Sequence, residues 1–226
     1  MGFLVQKTVL IFIRASLKYS FCLFFVSCST NQLNTLPYYN TPDFTPYFLS
    51  KNEAKKKITH QIPDFLFLDQ KSRDFSSESL DNKIHVASFI FTTCSDICPN
   101  MTSNMKFVEK AFFNDSLVNI LSFSVTPWID TPKKLLDYAD FYNIKSNNWY
   151  FLTGNKSKIY SLARKSYFAE EEFGYTKDSA QFLHTEHFIL VDQNKKIRGI
   201  YNGTLELEAR QLIEDIVLLK NSLRNL

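Results

Sequence analysis

In the stretch FTTCSDICPNM two thiols, Cys94 and Cys98, stand with three residues between them, directly after an apolar run and directly before Pro99. Such a pair can close a disulfide, exchange electrons with another protein's cysteines, or supply two ligands to a soft metal ion. A bridge over so small a loop restricts the unfolded chain little, so a purely structural staple is the weak reading. The common redox spacing has two intervening residues. The third one here leaves space for an ion between the sulfurs, and two thiolates favour soft ions such as Cu(I). Two ligands are few, which turns attention to the four histidines, His60, His85, His184 and His187. His60 reads as a solvated residue of a lead-in, and His85 as a core or edge histidine with a hydrogen-bonded partner. His184 and His187 flank the entry to a strand in FLHTEHFILVD. Their odd spacing puts them on opposite faces of an extended segment, so at most one points at the cysteines. Taken alone, either is more often a structural histidine than a ligand.

The elements that must position these side chains can be read from pattern. KIHVASFIF (83–91) is a fully buried strand that delivers the cysteine pair to a helix opened by Pro99, whose missing N–H is harmless there. Met101, Met105, Val108 and Phe112 recur at helical spacing, which assigns the two methionines to core packing rather than to a metal. Cys98 falls at or just before the first turn, where unpaired N–H groups and the helix dipole favour a thiolate. IPDFLFLD reads as a first strand and LVNILSFSV (117–125) as a second buried one. Asp130-Thr131-Pro132 begins another helix, with Leu135, Leu136, Tyr138 and Ala139 turned inward. NWYFLTG (148–154) is a strand, KSKIYSLARKSYF a helix, and EEFGYTKDSAQFL a polar excursion without period. HFILVD and IRGIYNG form a hairpin, and residues 205–223 a long amphipathic helix. The order describes an α/β, thioredoxin-like fold: a central mixed sheet flanked by helices, with a C-terminal hairpin and helix.

The ends and the bulk composition bound the rest. The first 28 residues contain no acid, carry Lys7, Arg14 and Lys18, and hold the apolar run FCLFFV, far short of the ~20 residues of a spanning helix. They read as an export signal. Ser27-Cys28-Ser29 resembles a bacterial lipobox in which Cys28 is lipidated, although Phe25 departs from the usual Leu. The alternative is an uncleaved N-terminal anchor. With Cys22 inside the signal and Cys28 at its end, only Cys94 and Cys98 remain in the exported body. Residues 29–60, rich in Asn, Thr, Pro and Tyr, read as a tether or lead-in, and 61–226 as the domain. In the 226-residue chain, 45% apolar and 15% aromatic residues suffice for a core. Twenty-six basic against 23 acidic side chains, with no basic stripe, speak against nucleic acid as a partner.

The combination of FTTCSDICP at the end of a buried strand, SVTPWIDTP after the next, and HTEHFILVD leading into IRGIYNGT resembles the Sco/SenC family of copper-binding cytochrome c oxidase assembly factors. The resemblance covers roughly residues 60–224. It implies that Cys94, Cys98 and His184 are the metal ligands, that copper is bound as Cu(I) or Cu(II), and that Asp130 matches the second acid of a strand-end motif. Thr126 replaces the first acid of that motif, and Leu183 stands where an Asp often precedes the histidine. Both departures remove nearby negative charge. By resemblance the partners are the copper-bearing oxidase subunit and other copper chaperones. The place is the extracytoplasmic side of a membrane, in the periplasm of a bacterial lipoprotein's host, held through the N-terminal lipid or anchor. The implied role is that of a metallochaperone rather than an enzyme. A thiol-disulfide reductase with Cys94 and Cys98 as its redox pair is the alternative.

Overall fold

The computed structural model describes residues 35–169 and 185–224, all within the second of two units, 1–33 and 34–226, into which contacts divide the chain. Two strands make its centre, β5 (Ile84–Ile90) and β6 (Val118–Ser124), and all seven residues of each are buried. They pair in parallel, with Ile84 opposite Val118 and Ile90 opposite Ser124, and β7 (Trp149–Leu152) adds a third parallel strand beside β6. Parallel strands covered on both faces read as unbroken apolar runs, which is why alternation is faint here. On the other side of β5 runs the antiparallel hairpin of β8 (His187–Val191) and β9 (Ile197–Asn202).

Alternate residues of β5 feed two separate cores. Ile84, Val86 and Ile90 pack with Met101, Met105 and Val108 of α2 (Ile97–Ala111), Leu135 of α3 (Pro132–Phe141), and Leu212 and Ile216 of α5 (Glu206–Arg224). Ala87 and Phe89 face Ile159, Leu162 and Ala163 of α4 (Lys156–Lys165), and Phe67 and Phe75 of a separate hairpin, β3 (Leu66–Leu68) with β4 (Asp74–Ser76). The segment expected as a first strand supplies β3 of this small second sheet, bridged through Leu68 to Thr153.

Several polar groups inside the cores are paired. Ser122 of β6 bonds Ser88 across the ladder and accepts from the Trp149 indole, each at 3.0 Å. His85 is 1% exposed, and its Nε2 lies 3.0 Å from the Tyr167 hydroxyl, as expected of a core histidine. Burial, with a smaller contribution from Lys195, depresses its pKa from 6.5 to about 3. The unfolded chain then binds a proton that the folded one refuses. Stability is full above pH 6.5 and falls as pH drops toward 3, by up to about 1.4 kcal/mol per pH unit. We expect His85→Gln to flatten the pH dependence of the urea midpoint between pH 6 and 4. Equal slopes in parent and variant would remove His85 as the cause.

Residues 35–60 depart from expectation. Instead of a tether, β1 (Tyr38–Tyr39) pairs with the free edge of β9 and with β2 (Pro46–Tyr47), and α1 (Lys51–Lys57) follows behind a Ser50–Glu53 capping box. Arg198 holds this segment: it donates to the carbonyls of Leu36 at 2.6 Å and Pro37 at 2.8 Å, pairs with Asp192, and lies 3.7 Å over the Tyr38 ring. Lys196 adds a bond to the carbonyl of Ile58. Two-residue strands have no period to read. His60 is likewise not solvated: its Nε2 donates to the Ser166 carbonyl at 2.7 Å and its ring lies 4.2 Å from Phe168. Lys55, Lys56 and Lys57 are exposed on the last turn of α1, where they favour the helix dipole.

Candidate functional site: a dithiol at a helix N-terminus

β5 ends at Ile90, and a turn closed by the Cys94 N–H on the Phe91 carbonyl carries the chain to α2. The helix begins two residues before Pro99, so Cys98 is inside its first turn. Cys98 is 2% exposed and belongs to the core beneath the sheet, whereas Cys94 is half-buried at the surface, and both are free thiols. Asp96, the residue in the N-cap position, makes no side-chain capping bond. The Cys94 sulfur takes that role, accepting the Cys98 N–H at 3.5 Å.

This geometry reverses the sequence expectation about which sulfur is activated. Burial raises the Cys94 pKa, but the backbone N–H groups of Cys98 and Asp96, the Cys98 thiol and the Ile97 backbone outweigh it, leaving a net lowering. Burial pushes the Cys98 thiol up to about 12; the Phe91 backbone offsets part of this, while Cys94 and the Asp130 carboxylate add to it. The physical reason is directional. N–H groups of a first turn point out past the helix end, toward the residue that precedes the helix, and a side chain within the turn cannot reach them.

Asp130 sits fully buried below the cysteine loop. Its carboxylate accepts from Thr92 Oγ1 at 2.6 Å, the Thr92 N–H at 3.3 Å, Ser124 Oγ at 2.6 Å and Thr126 Oγ1 at 2.8 Å. One acid thus ties together the segments leaving β5 and β6. Thr126, in place of an acid, contributes a hydroxyl donor to it. The role of Ser124 is one that sequence reasoning missed, since a serine within an apolar strand gives no signal of its partner.

Beside Cys94 opens a cleft of about 420 Å³, walled by Thr92, Thr93 and Cys94 on one side and by Lys134, Tyr138 and Phe141 of α3 and its C-cap residue Tyr142 on the other. The Tyr138 hydroxyl bonds Thr102 of α2 at 2.6 Å, which fixes α3 against the cysteine helix. Met101 and Met105, each 1% exposed, are core residues as their spacing indicated.

His184 and Leu183 lie outside the described residues, as do Cys28 and the whole 170–183 excursion. Among the described residues no three His, Cys, Asp or Glu side chains form a metal-binding group. His187 opens β8, its Nδ1 3.1 Å from Thr185 Oγ1 and its ring edge-on to Phe44 at 5.6 Å. Because β8 runs antiparallel to β5, its start lies at the sheet end from which the Cys94 loop departs. Asn104 of α2 donates to the Gly203 carbonyl at 2.9 Å, and the Gly203 N–H donates to the Glu186 carbonyl at 2.6 Å. A Cβ on Gly203 would stand 2.6 Å from the Phe188 ring, so this approach requires glycine.

A mixed sheet between helices, with a dithiol where the first parallel strand meets its helix, defines a protein of the thioredoxin-like class. The sequence narrows this further. The SCO1/SenC family profile matches residues 53–220, and the chain belongs to that family. The SCO1 protein homolog of Bacillus subtilis is 35% identical over 166 residues, 73% of this chain and 85% of that protein. A SCO1/SenC family lipoprotein from Bacillus anthracis superposes with TM-score 0.61 at 29% identity, over 72% of this chain and 96% of the other. BsSco, described as a member of the Sco family of cytochrome c oxidase assembly proteins and as containing a disulfide switch, gives TM-score 0.59 at 32% identity over 71% and 93%. The copper-bound structure of Bradyrhizobium japonicum ScoI shares the fold, with TM-score 0.56 at 23% identity over 71% and 99%.

Proposed function

We propose that this protein is a membrane-tethered copper chaperone that binds one copper ion through Cys94, Cys98 and His184 and delivers it to the dinuclear copper centre of a cytochrome c oxidase subunit. The observation that carries the reading is the dithiol itself: in a SCO1/SenC chain, one buried and one half-buried sulfur face each other at a helix N-terminus beside an open cleft. Two thiolates and an imidazole suit Cu(I), or Cu(II) with an added ligand, and are one short of a closed structural zinc site. The strand polarity supports a third ligand from position 184. The chain re-enters the described residues at Thr185, at the cysteine end of the sheet, and Glu186 is linked through Gly203 to the helix that carries Cys98.

The tether is part of the same proposal. Lipidation at Cys28, or an uncleaved anchor, would hold residues 35–226 on the extracytoplasmic face, in keeping with the Bacillus anthracis relative's description as a lipoprotein. No helix among the described residues is long and apolar enough to cross a membrane.

A second reading, a thiol-disulfide reductase that keeps oxidase cysteines reduced, is favoured by the unequal thiols, one easily ionised and one protonated. One experiment separates the two. The reduced chain is loaded with Cu(I) against a competing chelator, and disulfide reduction is measured without copper. We expect about one copper per chain, absent in Cys94→Ser, with retention weakened ~100-fold in His184→Ala. Full copper retention by His184→Ala, with fast copper-free turnover, would establish the reductase instead.

A further inference from the structure

We infer that the cleft between the Cys94 loop and α3 docks a cysteine-bearing segment of a partner protein that carries an acidic side chain beside its cysteine, with Phe141 as the apolar contact and Lys134 as the cation. This rests on the proposed function, in which Cys94 meets the sulfurs of a partner, and adds to it the surface and chemistry by which that partner is chosen.

α3 has two working faces. Leu135 and Ala139 are buried against the sheet. Lys134, Tyr138, Phe141 and Tyr142, at i, i+4, i+7 and i+8, form a second stripe that faces the cleft. Phe141 is 81% exposed, the most exposed large apolar side chain described. An aromatic ring left in water on the rim of a reactive sulfur's cleft has the character of an interface anchor. The wall is held in place before any partner arrives. Tyr138 is bonded to Thr102, its ring lies 4.7 Å from Tyr142, the Tyr142 ring is 5.1 Å from Phe141, and the Tyr142 carbonyl accepts from Lys106 at 2.7 Å. Preordering of this kind lowers the entropic cost of docking.

Charge selects the occupant. Of the residues lining the cleft, Lys134 is the one cation and none is a carboxylate. Its neighbour Lys133 is ion-paired with Asp137, while no ion pair of Lys134 occurs among the described residues. An acidic side chain next to the partner's cysteine therefore meets the Lys134 ammonium, and a basic one is repelled. On the opposite wall the Thr92 donors are spent on Asp130, and exposed Thr93 brings a hydroxyl to the cleft.

The chemistry that reads out docking is thiol exchange. The Cys94 thiolate attacks one sulfur of a partner disulfide, a Cys94–partner bond forms, and the other partner sulfur leaves as a thiolate. Cys98, releasing its proton to water, then attacks the Cys94 sulfur and frees the partner's second thiolate. Two electrons pass from the Cys94/Cys98 pair to the partner's disulfide.

The test uses the full chain, reduced and metal-free, in detergent. Single-turnover exchange is timed with two disulfide peptides, one with Glu and one with Lys beside the cysteine, each divided by the rate with hydroxyethyl disulfide. We expect the Glu peptide to lead about fivefold, a margin that shrinks in 0.5 M salt. Lys134→Glu should invert the order, and Phe141→Ala should lower both normalised rates about fivefold. Lys110→Glu, on the far end of α2, should alter neither. An unchanged peptide order in Lys134→Glu overturns the inference. Copper retention by Cys94→Ser is scored separately, so loss of the metal reading and loss of the docking reading give different results.

Discussion

Asp130→Ala is expected to lower the melting temperature by roughly 10 °C. The substitution strips four donors, two from Thr92 and one each from Ser124 and Thr126, of their shared and fully buried acceptor. A buried donor left unsatisfied costs about 1–3 kcal/mol. Rotation of the three hydroxyls recovers part of this, which leaves a loss of about 4 kcal/mol, or ~2–4 °C per kcal/mol in a chain of this size. The Thr92 N–H cannot rotate away. Asp130→Asn should lose about half as much, because its carbonyl still serves two donors. The damage is also local: Thr92 lies two residues before Cys94, and the cysteine loop should loosen before the sheet does. Thermal melting checks the first statement, and a melting temperature within 2 °C of the parent would show that Asp130 is not the tie between the two strand ends.

In the reduced, metal-free protein, alkylation at pH 8 is expected to fall almost wholly on Cys94. With the Cys98 pKa at about 12 and that of Cys94 below 9.0, the thiolate fractions differ by more than about a thousandfold. The more basic sulfur is the better nucleophile, which returns roughly a factor of 20. Burial of Cys98 then restores the contrast, so Cys94→Ser should react at least about 100-fold more slowly than Cys98→Ser. Mass spectrometry of iodoacetamide time courses on the two variants gives both rates. Comparable rates would mean that the N–H groups of the first turn do not act on Cys94 as the geometry requires.

The direction of that contrast is where sequence reading went wrong, and the cause is instructive. Proximity to a helix N-terminus is visible in the order of residues, and it pointed to Cys98. Which sulfur receives the N–H groups depends on where the helix begins and how the loop before it curls, and a shift of two residues in the helix start put Cys98 inside the turn and Cys94 in front of it. The same limit applies to His60, whose partner Ser166 is 106 residues away, and to the segment before residue 60, held by Arg198 from 161 and 162 residues away. Each is a polar contact across the fold, which leaves no period in the chain.

Local pattern alone determined the two buried strands, the helix that follows the cysteines with its methionine face, the hairpin and the closing helix, because burial on one or two faces imprints a repeat on neighbouring residues. It also determined the family, through the cysteine pair and the phrases around it. Only the tertiary structure decided which thiol is activated, that Ser124, Thr126 and Thr92 converge on one buried carboxylate, that β3 and β4 form a sheet of their own, and that α3 turns Lys134 and Phe141 toward Cys94. Those features arise where distant segments meet, and the free energy that selects them is spent on contacts between residues that do not neighbour one another in the chain.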